Sequence, residues 1–270
     1  FAGLAWQRFY LGGLLRKLGV KADFVRIGKN KLAPEQFLDG SSKVGKADHR
    51  QLLEAIEHMY LEQIGRGRKL DRATAKKNIA KGPFIATEAQ AAKLIDQLVY
   101  EDEIPTFVEE VFGGSVRIVD HHTVTKAPKY WRSPPKIALV YLHGNMIDGN
   151  SRTIPLIGTR LAGSYTIAKA LRQARQDPTV KAVVFRIETG GGSSLASDVI
   201  LREAVLTAKK KPLIVSMGAT TASGGYYAAV AGKEIFANPA TITGSIGIFY
   251  GKVDVSGLLH KLGVSVESHR

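Results

Sequence analysis

Two apolar runs, residues 183–187 and 212–217, each break at a glycine-rich corner and then pass into a helical pattern. The first corner is Gly190-Gly191-Gly192 and the second is Ser223-Gly224-Gly225. A strand, a corner that only small residues can turn and a helix make up the unit from which parallel sheets are wound. Two such units side by side bring both corners to one edge of a sheet, where backbone N–H groups at helix starts lack partners. The same alternation holds from Lys136 onward. Strands are predicted at 137–142, 180–187, 213–217 and 234–237, and helices at 165–175, 195–209 and 223–231. The predicted fold class is α/β.

Residues 27–115 read differently. Leu52, Leu53, Ile56, Met59, Tyr60 and Ile64 recur at helical spacing and predict a helix over 46–64, followed by helices over 70–80, 87–98 and 104–112. A strand-like stretch, 23–26, precedes them. Pro34 biases Ala33 toward extended backbone, which puts Gly28-Lys29-Asn30-Lys31 on a loop. Helices without strands over this length predict an excursion packed on a neighbouring sheet. A polar connector, 116–135, ends at Ser133-Pro134-Pro135 and divides the chain into residues 1–130 and 131–270. Its His121-His122 pair has no third ligand at useful spacing and is read as surface or interface, not metal site.

The two ends of the chain repeat one another. Gly13-Leu14-Leu15-Arg16-Lys17-Leu18-Gly19-Val20 matches Gly257-Leu258-Leu259-His260-Lys261-Leu262-Gly263-Val264 at seven of eight positions, at an offset of 244 residues. A repeat of this kind predicts a parent protein with two copies of one domain, of which this chain holds the tail of copy one and most of copy two. The chain opens at Phe1 in mid-pattern, and we read it as a piece with room for an anchor upstream.

The 270 residues contain no cysteine, which excludes a disulfide framework, a thiolate metal site and a cysteine nucleophile. A net charge of +14 suits an anionic surface, but no basic motif is interleaved with aromatic residues for stacking bases, so nucleic acid is not expected as a partner. The densest basic stretch, 66–81, reads as a solvated helix face ahead of a lipid-facing one. No apolar run approaches the roughly 18 residues of a membrane span.

Ser223 follows a strand and precedes a helix, a good seat for a nucleophile. It lacks the first glycine of a G-x-S-x-G elbow, because Thr221 stands there. His143, at the end of the first strand, is a weak candidate base. A lysine base must be buried: an ordinary lysine near pKa 10.4 is neutral in only about one molecule in 2500 at pH 7, and lowering it to neutrality costs about 4 kcal/mol.

Ala222-Ser223-Gly224-Gly225-Tyr226, Ala237-Asn238-Pro239, Thr243-Gly244-Ser245-Ile246-Gly247, Gly191-Gly192-Ser193 and Ala196-Ser197 together resemble the signal peptide peptidase A family in its long, tandem-domain bacterial form. The resemblance covers almost the whole chain. It implies a crotonase- and Clp-protease-like ββα spiral and a serine endopeptidase with a Ser–Lys dyad. The nucleophile falls on Ser223, the base on Lys31 with Lys29 as competitor, and the serine that holds the amine on Ser245. The oxyanion donors fall on the backbone of Gly191 or Gly192 and of Gly224. Copy one carries Phe1 where copy two carries Ser245, so each copy supplies half of one site. Glu188-Thr189-Gly190 departs from the family's usual Asn-Ser-Pro.

The resemblance further implies no metal or cofactor, cleaved signal peptides as substrate, and apolar pockets lined by residues such as Ile246 and Leu195. It implies a homo-oligomer, with a tetramer as the expected size, at the bacterial inner membrane with the catalytic domain facing the periplasm. Membrane attachment would come through a segment absent from this chain. Two other readings stand beside it: a crotonase-like acyl-CoA enzyme, which needs no serine, and a non-catalytic oligomerisation scaffold.

Overall fold

A computed structural model describes residues 7–117, 134–156 and 158–267. Phe1, most of the connector with His121 and His122, and the expected boundary at 130/131 lie outside the described residues. The chain forms two compact units, one holding residues 53–117 of those described, the other joining residues 7–52 to the chain from Pro134 onward.

The second unit begins with α1 (Gly12–Leu18) and β1 (Lys21–Arg26), then a 3₁₀ turn over Ala33–Phe37. Phe24 on β1 stacks on Phe37 of that turn, with centroids 5.2 Å apart. The long helix α2 (Lys43–Arg68) carries the chain onward.

The helical unit takes the end of α2, then α3 (Arg72–Ala80), α4 (Ala86–Ala91) and α5 (Ile104–Phe112). Its buried apolar cluster is small: Leu61, Ala75 and Ile79, with Ile64 and Leu70 against them. Side chains supply the caps. Asp71 accepts from the Thr74 amide at 3.0 Å, and the Glu88 carboxylate accepts from the Ile85 amide at 3.1 Å. The helix expected over 87–98 is shorter than the pattern predicts. It closes at Ala91 because Lys93 turns left-handed (φ 57°) and the Leu94 amide reaches back to the Ala89 carbonyl. Basic residues of 66–81 are paired on this unit: Arg66 with Glu62, Arg68 with both oxygens of Asp96, and Lys76 with Glu57.

From Pro134 the chain winds β2 (Lys136–His143), β3 (Asn145–Ile147), β4 (Arg152–Thr153), β5 (Arg160–Gly163), α6 (Ser164–Gln176), β6 (Val180–Thr189), α7 (Ser194–Ala208), β7 (Leu213–Ala222), α8 (Gly224–Ala229), β8 (Glu234–Phe236), β9 (Ile242–Gly244), β10 (Phe249–Asp254) and α9 (Ser256–Lys261). β2, β6, β7 and β8 lie side by side and parallel. β7 changes partner along its length: residues 214–216 pair with β8, and Thr220–Ala222 with β9. That second pairing carries β7 past the predicted end at 217. The α/β class expected from the alternation is what the chain adopts. The short strands β3, β4, β5 and β9, only two to four residues each, carry too little alternation to be predicted.

Alternate residues of β6 set the core. Val183, Phe185 and Ile187 have no exposed surface and pack with Leu213 and Val215 of β7 and with Leu171, Ile200 and Ala204 of α6 and α7. Each fully buried side chain of this size contributes about 1.5–3 kcal/mol. This packing fixes where β6 and β7 end, and both glycine corners begin there.

The two repeated segments adopt one local structure. α1 and α9 each close on a left-handed glycine, Gly19 (φ 81°) and Gly263 (φ 75°). They also meet, with Gly257 of α9 seated on Gly19 and Lys261 Nζ donating to the Lys17 carbonyl at 2.5 Å. Beside them β1 pairs antiparallel with β10.

Candidate active site

Ser223 sits at the end of β7 with φ 52° and ψ −117°, a left-handed backbone that a non-glycine residue adopts only under constraint. The constraint is visible. Its amide donates to the Gly244 carbonyl of β9 at 2.8 Å, Thr221 Oγ1 donates to the Ile187 carbonyl at 2.6 Å, and Thr243 Oγ1 donates to the Thr221 carbonyl at 2.7 Å. The sharp strand-to-helix turn therefore exists without the glycine at 221. The small residues are needed after the serine instead: a Cβ at Gly224 would strike Ser197 Oγ, and one at Gly225 would lie 2.5 Å from Thr189 Cγ2.

The loop after β1 delivers Lys31. Ile27 is held to Ile248 by a backbone hydrogen bond of 3.1 Å, Gly28 turns the chain with φ 89°, and the Lys31 amide closes onto the Gly28 carbonyl at 3.2 Å. The amine then lies 2.9 Å from Ser223 Oγ, 2.7 Å from the Ser245 carbonyl and 3.2 Å from Ser245 Oγ. Lys31 is only 5% exposed and pairs with no carboxylate among the described residues. Burial pushes its pKa below the ordinary 10.5. Lys29, the competitor, is exposed. His143 is exposed too, in a separate depression with Asn145 and Arg160.

Three oxygens surround the amine. In its neutral form it would donate its two hydrogens to the Ser245 carbonyl and hydroxyl oxygens and accept the Ser223 hydroxyl proton on its lone pair. An ammonium would use three donors and leave Ser223 without a base.

The first glycine corner faces this serine. A Cβ on Gly191 (φ 102°) would lie 2.8 Å from both Ser223 Cβ and the Gly224 nitrogen. The Gly191 amide, however, donates to Thr189 Oγ1 at 3.0 Å, so Gly191 supplies space and not a free donor. The amides of Gly192 and Gly224 have no acceptor among the described residues and remain the candidate donors. Thr189, inside the departing Glu188-Thr189-Gly190 stretch, thus holds the corner in shape. Its place in register with Thr221 carries the link to β7.

A cleft of about 810 Å³ opens beside Lys31 and Ser223, walled by Tyr226, Tyr227, Val230, Ile246, Ile248 and Phe249. Ile246 lines it as expected. Leu195 does not: it lies outside the lining and is 62% exposed, because the lining face of α7 carries Ser194, Ser197 and Asp198 instead. Sequence reasoning also missed the network behind the lysine loop. Arg26 donates to the Lys31 carbonyl at 3.2 Å and lies 3.5 Å from Glu35, a carboxylate with 1% exposure. Glu35 also accepts from Ser42 Oγ at 2.5 Å and Ser41 Oγ at 3.2 Å. Burial opposes ionisation of Glu35, but these hydrogen bonds outweigh it and hold its pKa below the usual 4.5. The four-residue spacing from Lys31 to Glu35 was the one signal available.

The family model of peptidase family S49 matches residues 1–112 and 206–270. Protease 4 of Haemophilus influenzae is 34% identical over 284 residues, covering 98% of this chain and 45% of the relative. The chloroplastic serine protease SPPA of Arabidopsis thaliana is 30% identical over 277 residues, covering 98% of this chain and 40% of the relative. The chain thus spans less than half the length of either. Among solved structures, a membrane-bound stomatin-specific protease is 21% identical, covering 42% of this chain and 47% of that one with a TM-score of 0.31, a likeness too slight to bear on chemistry.

Proposed function

This chain belongs to peptidase family S49, and we propose that it carries the working site of a serine endopeptidase in which Ser223 is the nucleophile and Lys31 the general base. One observation carries the reading: an amine with 5% exposure stands 2.9 Å from the hydroxyl of a serine held in a left-handed turn. Neutral Lys31 takes the Ser223 proton as Oγ attacks a peptide carbonyl. The developing oxyanion is met by the amides of Gly192 and Gly224. The Lys31 ammonium gives its proton to the leaving amine, which departs and leaves an ester on Ser223. Water enters, Lys31 deprotonates it, and hydrolysis of the ester restores the hydroxyl and the neutral amine. Ser245 acts as a positioning residue that holds the amine's other hydrogens.

The apolar cleft suits the hydrophobic stretches of cleaved signal peptides, and that is the substrate class we assign. No helix among the described residues is long and apolar enough to cross a membrane. Attachment at the bacterial inner membrane, with the site facing the periplasm, is part of the same proposal. Assembly as a tetramer belongs to the same reading.

The test is hydrolysis of apolar fluorogenic peptides together with covalent labelling by a fluorophosphonate. Turnover and labelling of Ser223 that both vanish in Ser223→Ala are expected. Retained turnover in that variant would refute the serine mechanism. An acyl-CoA enzyme or a scaffold would give neither signal in the unmodified chain.

A further inference from the structure

One charged group in the cleft is not used by this chemistry. On α7, Ser194, Ser197 and Asp198 stand at helical spacing and line the cleft together with Tyr226 and Tyr227 of α8. The ionisable chain nearest the reaction, Lys31, is buried and fully occupied by Ser223 and Ser245. Asp198 is exposed, and its one hydrogen bond among the described residues comes from Tyr227 Oη at 3.3 Å. It has no ion pair there, although the chain has 38 Lys and Arg against 24 Asp and Glu. An unpaired carboxylate at the edge of an apolar trough leaves its charge available to whatever enters.

Resting on the peptidase reading, we infer that Asp198 selects peptides that place a positive charge beside their apolar segment. The cation is either a Lys or Arg side chain or the free α-ammonium of the peptide, which share the same chemistry. Tyr227 orients the carboxylate with its hydroxyl and walls the apolar trough with its ring, so charge and apolar recognition meet at one place. In a partly open cleft a single such pair is worth about tenfold in selectivity.

The experiment compares kcat/KM for matched fluorogenic peptides. In one series, Lys replaces norleucine position by position in N-acetylated peptides. In the other, a lysine-free peptide is assayed with a free or an acetylated amino terminus. The unmodified chain is expected to favour the cationic member of one series by about tenfold, and the series that responds identifies the source of the charge. Asp198→Asn, which can still accept from Tyr227, is expected to bring the ratio near one, and Asp198→Lys to invert it. A merely structural role for Asp198 would change both members of a pair alike. Equal cleavage of both members by the unmodified chain, or a preference that survives Asp198→Asn, overturns the inference. Absence of turnover on every peptide, with no fluorophosphonate labelling of Ser223, would instead remove the peptidase reading and the inference with it.

Discussion

Lys31 can act as a base only while its nitrogen keeps a lone pair, and burial shifts its titration toward that state. Burial lowers its pKa from 10.5, and the Ser245 oxygens lie where they can accept both hydrogens of a neutral amine. The neutral amine is the competent form, so turnover should rise with pH through this lowered pKa and level off below the range where an ordinary lysine titrates. A kcat/KM profile that rises only near 10.5 would contradict this. The same burial disfavours the charged form, so the amine costs stability at neutral pH, and the cost fades as pH rises from the lowered value toward 10.5. Lys31→Met should therefore reduce turnover by about 10²–10⁴-fold while the urea midpoint at neutral pH holds or rises. Gly191→Ala tests the other side of the serine. Its methyl would lie 2.8 Å from Ser223 Cβ and the Gly224 nitrogen, on a residue with φ 102°. A loss of about 10²-fold or more in kcat is expected, and near-normal kcat would show that this space is not needed.

The lysine loop is held by its own element. Arg26 at the end of β1 and Ser42 before α2 close around the buried Glu35 of the 3₁₀ turn to form one network behind Lys31. Because Glu35 is held below 4.5, the stability it contributes is present above that pH and is lost as pH falls through its lower folded value. Glu35→Gln should lower stability at neutral pH by about 1–3 kcal/mol and flatten the acid limb of the stability curve, measured by urea unfolding across pH. None of this network was legible beforehand, since a glutamate four residues from a lysine has many ordinary explanations. The strands β2, β6 and β7 and helices α6 and α7 were legible because one face of each is buried and its period shows. The glycine corners were legible because a strand that stops at Gly-Gly must turn. β9 and β10 were not: β9 has three residues, and β10, exposed throughout, shows no alternation of apolar and polar residues. The donor role expected for Gly191 did not anticipate Thr189, whose hydroxyl oxygen accepts from the Gly191 amide two residues further on.

Across the molecule, Lys31 and Ser223 are 192 residues apart in sequence and lie in one compact unit. β1 joins β10, and α1 joins α9 through Gly19 and Gly257, so the repeated segments bring the lysine loop to the serine turn. Phe185 in β6 anchors the sheet on which both glycine corners hang. Phe185→Ala should lower stability by about 3–5 kcal/mol, read from urea unfolding, and a loss below about 1 kcal/mol would mean this strand does not carry the core. The dyad itself is most directly tested by the rate at which a fluorophosphonate labels Ser223, followed by mass spectrometry from acid to alkaline pH in the unmodified chain and in Lys31→Met. Labelling should rise with pH in the unmodified chain, with a midpoint below that of an ordinary lysine, and be slower by at least about 10²-fold with no such rise in Lys31→Met. Equal rates in the two proteins would mean that Lys31 does not activate Ser223.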